Sequence, residues 1–345
     1  QRATAGVYTS SGYCNVQVAN VTYTNNTGNA FLVGNGRNIL TVDNANIYNN
    51  KISGNGLLWL GDNSALIING GSFHDNTVSN NGTIAYANSG GCTITINGGE
   101  FYNNKAANGG VVYMPGNDTL TINGGNFYNN TATGSGGAIV QGNGNVNVNM
   151  TINGGDFHDN NAVNGGAIYM GTNTGLATLT MIGGKIYNNT ANNGGAVYIP
   201  NKGKVTLSAA EGADVGGIIR DNTASQLASN LYLGGAGSSL TVGEKTLLHG
   251  GTIAGDVLFA QGGTVDLADT QDLHTDGIEN AKDLVWLKND ATTGETVLSE
   301  TAPAQTIYTL APAGENTGSY AARIGSDKYF SINQAIKAME AADAE

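Results

Sequence analysis

The chain has 345 residues, only 12% of them charged, and a formal net charge of −12 with an isoelectric point near 4.6. With 14 Lys and Arg against 26 Asp and Glu it offers no basic surface to nucleic acid or to an anionic membrane, and polyanionic substrates would be mildly repelled. Fifty-three glycines against four prolines supply many corners without collagen or polyproline character, and no apolar run of about 18 residues marks a spanning helix.

No leader segment is recognisable at Gln1, which fits a mature or excised segment. Residues 1–20 are irregular and are expected to supply a first strand and a cover for the open end of the repeats beyond them. A unit then recurs. It is clearest at Thr121–Asn130, Thr-Ile-Asn-Gly-Gly-Asn-Phe-Tyr-Asn-Asn, and returns at Thr95–Asn104, Thr151–Asn160 and Thr180–Asn189, more loosely at Ile67–Asn76 and Thr41–Asn50. Anchored on its central apolar residue, the series is Tyr23, Ile47, Phe73, Phe101, Phe127, Phe157, Ile186 and Ile219, at intervals of 24, 26, 28, 26, 30, 29 and 33 residues. A repeat of this size cannot bury a core alone and has to stack on its neighbours.

Five and seven residues before each anchor stand apolar columns, Ile122 and Leu120 in the clearest unit, with Thr121 between them. That alternation has the period of a strand. A second strand follows each unit, as in Gly109-Gly110-Val111-Val112-Tyr113-Met114 and Gly165-Gly166-Ala167-Ile168-Tyr169-Met170. The expected coil therefore has three short strands: the Thr-Ile strand, the anchor strand and the Gly-Gly strand. Parallel strands joined once per repeat predict a parallel β-helix, coiled right-handedly because parallel crossovers have that hand.

Three residues past each anchor comes Asn26, Asn50, Asn76, Asn104, Asn130, Asn160, Asn189 and Asn222. An amide both donates and accepts, so Asn repeated at about 4.8 Å predicts an internal ladder; the competing account is that Asn is there to tolerate a left-handed backbone. Cys14 and Cys92 both lie nine residues before an anchor, three coils apart, or about 14 Å by coil rise. A disulfide requires Cα atoms within about 7 Å, so two free thiols are expected.

Near Ser208–Gly217 the longer spacing predicts a loop, and the pattern loosens through Leu231–Leu233, Ser239–Val242, His249–Ile253 and Thr264–Leu267. Beyond Asp269, Leu284–Leu287 and Glu295–Leu298 look like one hairpin, Thr306–Leu310 and Ser319–Ile324 like another. Ser331 with Gln334 makes a capping box before Ile332, Ala335, Ile336 and Met339, which predicts a terminal helix.

The column just past the anchor holds the candidate binding residues: Tyr48, His74, Tyr102, Tyr128, His158 and Tyr187, with Thr24 before them and Arg220 after. If anchors point inward these point outward, as a stripe whose ring faces could meet sugars or cations, or which could stack for structure alone. A second aromatic set, Trp59, Tyr113, Tyr169, Tyr198 and Tyr232, lies on the Gly-Gly strands. Catalytic and metal sets are not expected. His74 and His158 stand about 14 Å apart by coil rise, too far to share a zinc ion. Asp75, Asp159 and Asp221 are separated by Asn-bearing coils, and Glu100, Asp156 and Lys185 are scattered, so paired acid and base carboxylates are not apparent.

Phe127-Tyr128-Asn129-Asn130 with Gly136-Gly137-Ala138-Ile139, and Phe157-His158-Asp159-Asn160 with Gly165-Gly166-Ala167-Ile168, resemble the polymorphic membrane protein repeat. The resemblance spans roughly residues 20–235. It implies a right-handed parallel β-helix of the pectate-lyase-like superfamily in a secreted surface adhesin, although the membrane β-barrel that ends the family's best-known members is not evident. The patterns expected of that superfamily's polygalacturonases (Asn-Thr-Asp, Asp-Asp, Gly-His-Gly, Arg-Ile-Lys) are missing. Ile324–Tyr329 followed by Ser331–Ile336 resembles linkers of repetitive Gram-positive surface proteins.

The expectation is an all-β chain: residues 1–268 a right-handed parallel β-helix of about nine coils, 269–325 a small β-rich capping segment, and 326–345 a linker and helix leading to a further module. Its expected role is a non-catalytic adhesin or stalk module at a bacterial cell surface. It would meet a host or cell-wall glycan or a host surface protein, without cofactor or metal, without nucleic acid and without inserting in a membrane, as a monomer within a larger chain. The alternative is a polysaccharide lyase or glycoside hydrolase of the same fold.

Overall fold

The computed structural model describes residues 5–9, 12–88, 90–142, 144–213, 215–243 and 246–249, and beyond these the strands at 251–261, 264–266, 269–272, 286–289, 296–299, 306–310, 322–324 and 327–329. Among the described residues every regular element is a strand. The chain is a right-handed parallel β-solenoid. Eight anchors stack in register from Tyr23 to Ile219, bounding seven full turns. Leu248 and Val265 continue the file, which forms a sheet of 10 strands.

One coil shows the plan. Thr119–Ile122 buries Leu120 and Ile122; a Gly-rich turn leads to Asn126–Tyr128, which buries Phe127; Ile139–Gln141 comes next, after a corner. Between the last two lies a strand of two residues, Thr131–Ala132, which the three-strand expectation lacked. Its equivalents Lys51–Ile52, Thr77–Val78 and Lys105–Ala106 pair with it in one small sheet. The inward residue of this file is aliphatic and shrinks along the rod: Ile52 and Val78, then Ala106, Ala132, Ala162 and Ala191, are all buried.

The interior is built from like on like. Phe73, Phe101, Phe127 and Phe157 are fully buried and stack at centroid distances of 4.9, 4.6 and 4.5 Å. Each such burial stabilises by about 1.5–3 kcal/mol. Coils are about 4.8 Å apart because main-chain hydrogen bonding sets that spacing, and it is also a favourable separation for offset rings.

The Asn ladder is formed. Asn130 Nδ2 donates to Asn160 Oδ1 at 3.0 Å and to the Phe101 carbonyl at 2.8 Å. Its Oδ1 accepts from the backbone N–H and Nδ2 of Asn104, both at 3.1 Å. Two donors and two lone pairs are thereby satisfied across three coils. The same bonds link Asn50, Asn76, Asn104, Asn160 and Asn189, and Asn222 ends the run on Asn230 Oδ1 at 3.0 Å. The left-handed residue is not the ladder Asn but the one before it: Asn25, Asn49, Asp75, Asn103, Asn129, Asp159, Asn188 and Asp221 have φ between 53° and 58°. The Asp residues of that column thus occupy a turn position that Asn and Asp tolerate better than other residues.

The loop at Ser208–Gly217 closes on itself through Gly217 N–H to the Ser208 carbonyl at 3.0 Å. After it, Leu231–Val242 runs as one 12-residue strand through both the Gly-Gly file and the Thr-Ile file, where the spacing predicts two separate strands. Trp286–Asn289 and Thr296–Ser299 pair antiparallel, matching the first hairpin. The second is not formed as expected: Thr306–Leu310 pairs antiparallel with Gly251–Gln261 and Asp269–Asp272, and Ala322–Ile324 pairs instead with Asp327–Tyr329. A strand beside the last solenoid strands can satisfy an open edge that a local hairpin would have left unpaired. The helix expected at Ser331–Met339 lies outside the described residues.

The cysteines are unpaired, Cys14 exposed and Cys92 buried. Their column runs through Asn38 and Ser64, as the links from Ile39 N–H to Cys14, Ala65 N–H to Asn38 and Thr93 N–H to Ser64 show. Burial pushes the Cys92 thiol up to about 11. Ellman reagent is therefore expected to find one thiol in the native protein and two after unfolding without reductant; none after unfolding would refute the register. Asn130→Ala removes four hydrogen bonds and leaves buried partners open, which should cost at least about 1–3 kcal/mol in a chemical melt. An unchanged midpoint would refute the ladder's contribution.

Candidate functional site

The outward column of the anchor strands forms one continuous stack. Tyr48, His74, Tyr102, Tyr128, His158 and Tyr187 lie at successive centroid distances of 5.1, 4.6, 5.0, 5.2 and 4.9 Å, with planes within 13° of parallel. The Arg220 guanidinium closes the far end 5.0 Å above the Tyr187 ring. All six expected residues are brought together, but not as flat platforms. Because the coil rise equals the stacking distance, the faces are spent on one another and the stripe offers ring edges and phenol hydroxyls. It is about 24 Å long over its five intervals.

The histidines sit within this stack as Asp-paired rings. His74 Nδ1 lies 2.7 Å from Asp75 Oδ2, and His158 Nδ1 lies 2.6 Å from Asp159 Oδ2. The His74 hydrogen bond holds the Asp75 carboxyl below the usual range. His158 Nε2 also meets Asn126 Oδ1 at 3.0 Å. Three coils separate the two His-Asp pairs. Beside the rings runs Ser72, Glu100, Asn126, Asp156 and Lys185, where Asn126 Nδ2 donates to Glu100 at 3.3 Å and Lys185 Nζ stands 3.9 Å from Asp156. Among the described residues, no three His, Cys, Asp or Glu side chains converge as a metal-binding group.

One ladder, and one member of the second aromatic set, Tyr86, are not anticipated from the sequence. The Asn of each Thr-Ile-Asn-Gly-Gly forms a second, exposed ladder: Asn153 donates to Asn123, Asn123 to Asn97, Asn97 to Asn69 and Asn69 to Asp43, at 2.6–2.7 Å. Its signal was the recurrence of Asn four residues before the anchor. The Gly-Gly file carries two further ring stacks, Trp59, Tyr86 and Tyr113, then Tyr169, Tyr198 and Tyr232. Tyr86 belongs to that set although Gly82 replaces the usual Gly pair before it.

A buried acid lies apart from both stripes. Asp118, 1% exposed, occupies the coil after Cys92 in the same column; its Oδ1 accepts from Cys92 N–H at 2.8 Å and its Oδ2 from Gly116 N–H at 3.0 Å. Burial pushes its pKa up to about 6, against these two donors, which pull it down.

Compared with protein-family models, with curated proteins and with solved structures, the chain matches none. The class that fold and columns define is a parallel β-solenoid with a buried Asn ladder, and the resemblance to the polymorphic membrane protein repeat has no family match behind it.

Asp118 generates a pH prediction. Its carboxyl has a higher pKa folded than the ordinary 3.8, so the folded state binds the extra proton between about pH 4 and about pH 6. Stability from this group falls as pH rises through that window. The melting temperature of the wild type minus that of Asp118→Asn should therefore decrease from about pH 4 to about pH 7. A constant difference would mean that the two backbone donors at least offset desolvation.

Proposed function

We propose that the chain is a non-catalytic rod module of a bacterial surface protein, acting outside the cell as an adhesin or stalk that meets a host or cell-wall glycan or a host surface protein along its side. The observation that carries this reading is the stack from Tyr48 to Tyr187, six rings at 4.6–5.2 Å fixed by seven stacked turns. Phenol edges repeated at coil spacing give a ladder of weak hydrogen-bonding and CH contacts. Contacts that are weak singly add when the partner is itself repetitive, because after the first each is made at high effective concentration. The stack is already ordered, so little side-chain entropy is lost on contact. Its flanking columns contain Asn, Ser, Glu and Asp with little positive charge, which favours neutral sugars over uronic acids or phosphates.

The test is a glycan array probed with the whole chain and with the Tyr102→Ala, Tyr128→Ala double variant. Signal is expected on polymeric neutral glycans and should fall by about tenfold or more in the variant. A blank array would favour a spacer without ligand. Newly released reducing or unsaturated ends from any polysaccharide, with or without calcium, would replace this reading with a polysaccharide-cleaving enzyme.

A further inference from the structure

One coil departs from the repeat on its Gly-Gly side. Along the Gly-Gly file the outward residues in register from Trp59 to Tyr232 are Trp59, Tyr86, Tyr113, Val140, Tyr169, Tyr198 and Tyr232, so within that run Val140 is the one aliphatic interruption of the rings. Outside it, Leu32 stands in register before Trp59 and Ala254 after Tyr232. The corner column beside it runs Asn55, Asn81, Asn108, Ser135, Asn164 and Asn193, and its single shortened side chain, Ser135, falls in that same coil. Where both columns lose bulk together, a cleft of about 190 Å³ opens between Tyr113 and Tyr169.

The dimensions fit one ring. Tyr113 and Tyr169 are two coils apart, about 9.6 Å by rise, so a ring midway between them would stand about 4.8 Å from each. On this file the existing rings stack at 4.6–6.4 Å. A cavity of about 150 Å³ already admits a benzene-sized molecule. The walls are polar: Asn108 and Ser135 on one side, Thr172, Asn173 and Asn201 on the other, with no Lys, Arg, Asp or Glu among the described residues of the lining. The frame is held. Gln141 Nε2 donates to the carbonyls of Asp118 and Asn149, both at 2.9 Å, which fixes the turn after Val140. Tyr169 packs so closely on Gly171 that a Cβ there would lie 2.5 Å from its ring.

We propose that this interrupted storey is a carbohydrate subsite that takes one neutral pyranose unit between Tyr113 and Tyr169. The CH faces of the sugar would occupy the place of the missing tyrosine. Its hydroxyls would meet the amide and hydroxyl groups of the walls, which an aromatic side chain from a peptide would leave without partners. The uncharged lining sets a neutral sugar above an anionic one. The site lies on a different file from the Tyr48–Tyr187 stripe and does not depend on that stripe binding anything.

The test uses the whole chain and saturation-transfer NMR with the methyl glycosides of glucose, galactose, mannose and N-acetylglucosamine, followed by titration of those that respond. At least one is expected to bind at about millimolar affinity. Val140→Tyr rebuilds the missing rung, and should abolish binding while keeping the melting temperature at or above that of the wild type. If that variant fails to fold, Ser135→Asn restores the corner column and should weaken binding at least about fivefold. The Tyr102→Ala, Tyr128→Ala variant should bind the glycoside as the wild type does, which separates failure here from failure of the stripe. No response from any glycoside, unchanged binding in Val140→Tyr, or tighter binding of N-acetyltyrosine amide than of every glycoside would overturn the proposal.

Discussion

The structure depends on a single length. Main-chain hydrogen bonds between parallel strands fix successive coils about 4.8 Å apart, and that rise happens to suit three other interactions at once. Offset aromatic rings are favourable at this separation, a carboxamide can reach from one coil to the next, and aliphatic side chains touch. Each position therefore gains most by repeating the residue beneath it. The Phe file from Phe73 to Phe157, the Asn file from Asn50 to Asn222 and the ring file from Tyr48 to Tyr187 are three answers to that one spacing. Variation in coil length is admitted only where no file passes, as in the corner that swells between Leu207 and Ile218.

Adjacent Asn columns show how narrowly the chemistry discriminates. In the ladder each amide gives two hydrogens and receives two, so Asp would set acceptor against acceptor at every step. Asn stands there in all eight coils. One residue earlier the requirement is a left-handed backbone rather than an amide, and there Asp75, Asp159 and Asp221 alternate with Asn. The two Asp residues that come directly after a histidine also bond its Nδ1, which orients the imidazole within the ring stack. A column of mixed Asn and Asp is thus a backbone requirement, and a column of Asn alone is a side-chain one.

Much of this was legible from spacing. The anchors, the inward Leu and Ile columns, the ladder and the separated thiols emerge once residues two to three dozen apart are laid over one another. What remained hidden has physical reasons. The strand typified by Thr131–Ala132 is too short to display a period. The outer ladder beginning at Asp43 and Asn69 sits in a Gly-rich turn, where Asn already has a local explanation. The stacking of the outward rings was expected from their column, but stacked rings cannot also present flat faces to a sugar, because Tyr102 and Tyr128 turn their faces along the axis. Pairings near the C-terminal end, such as Thr306–Leu310 with Gly251–Gln261, join segments with no repeat between them.

In a chain of this kind the departures from the repeat are more informative than the repeat. A residue that continues its column needs no further explanation, since the coil beneath it sets its identity. One that breaks the column forgoes stacking or hydrogen bonding and asks for a reason, and such local inconsistency is where function is expected. Val140, Ser135 and Gln141 each break a different column, facing outward, cornerwise and inward, within seven residues of a single coil. The inward change places an amide in an otherwise apolar file between Met114 and Met170, where it braces the wall of the opening that the outward changes create. Independent drift in three columns gives no reason for that coincidence of place, whereas a local structure built around an occupant does.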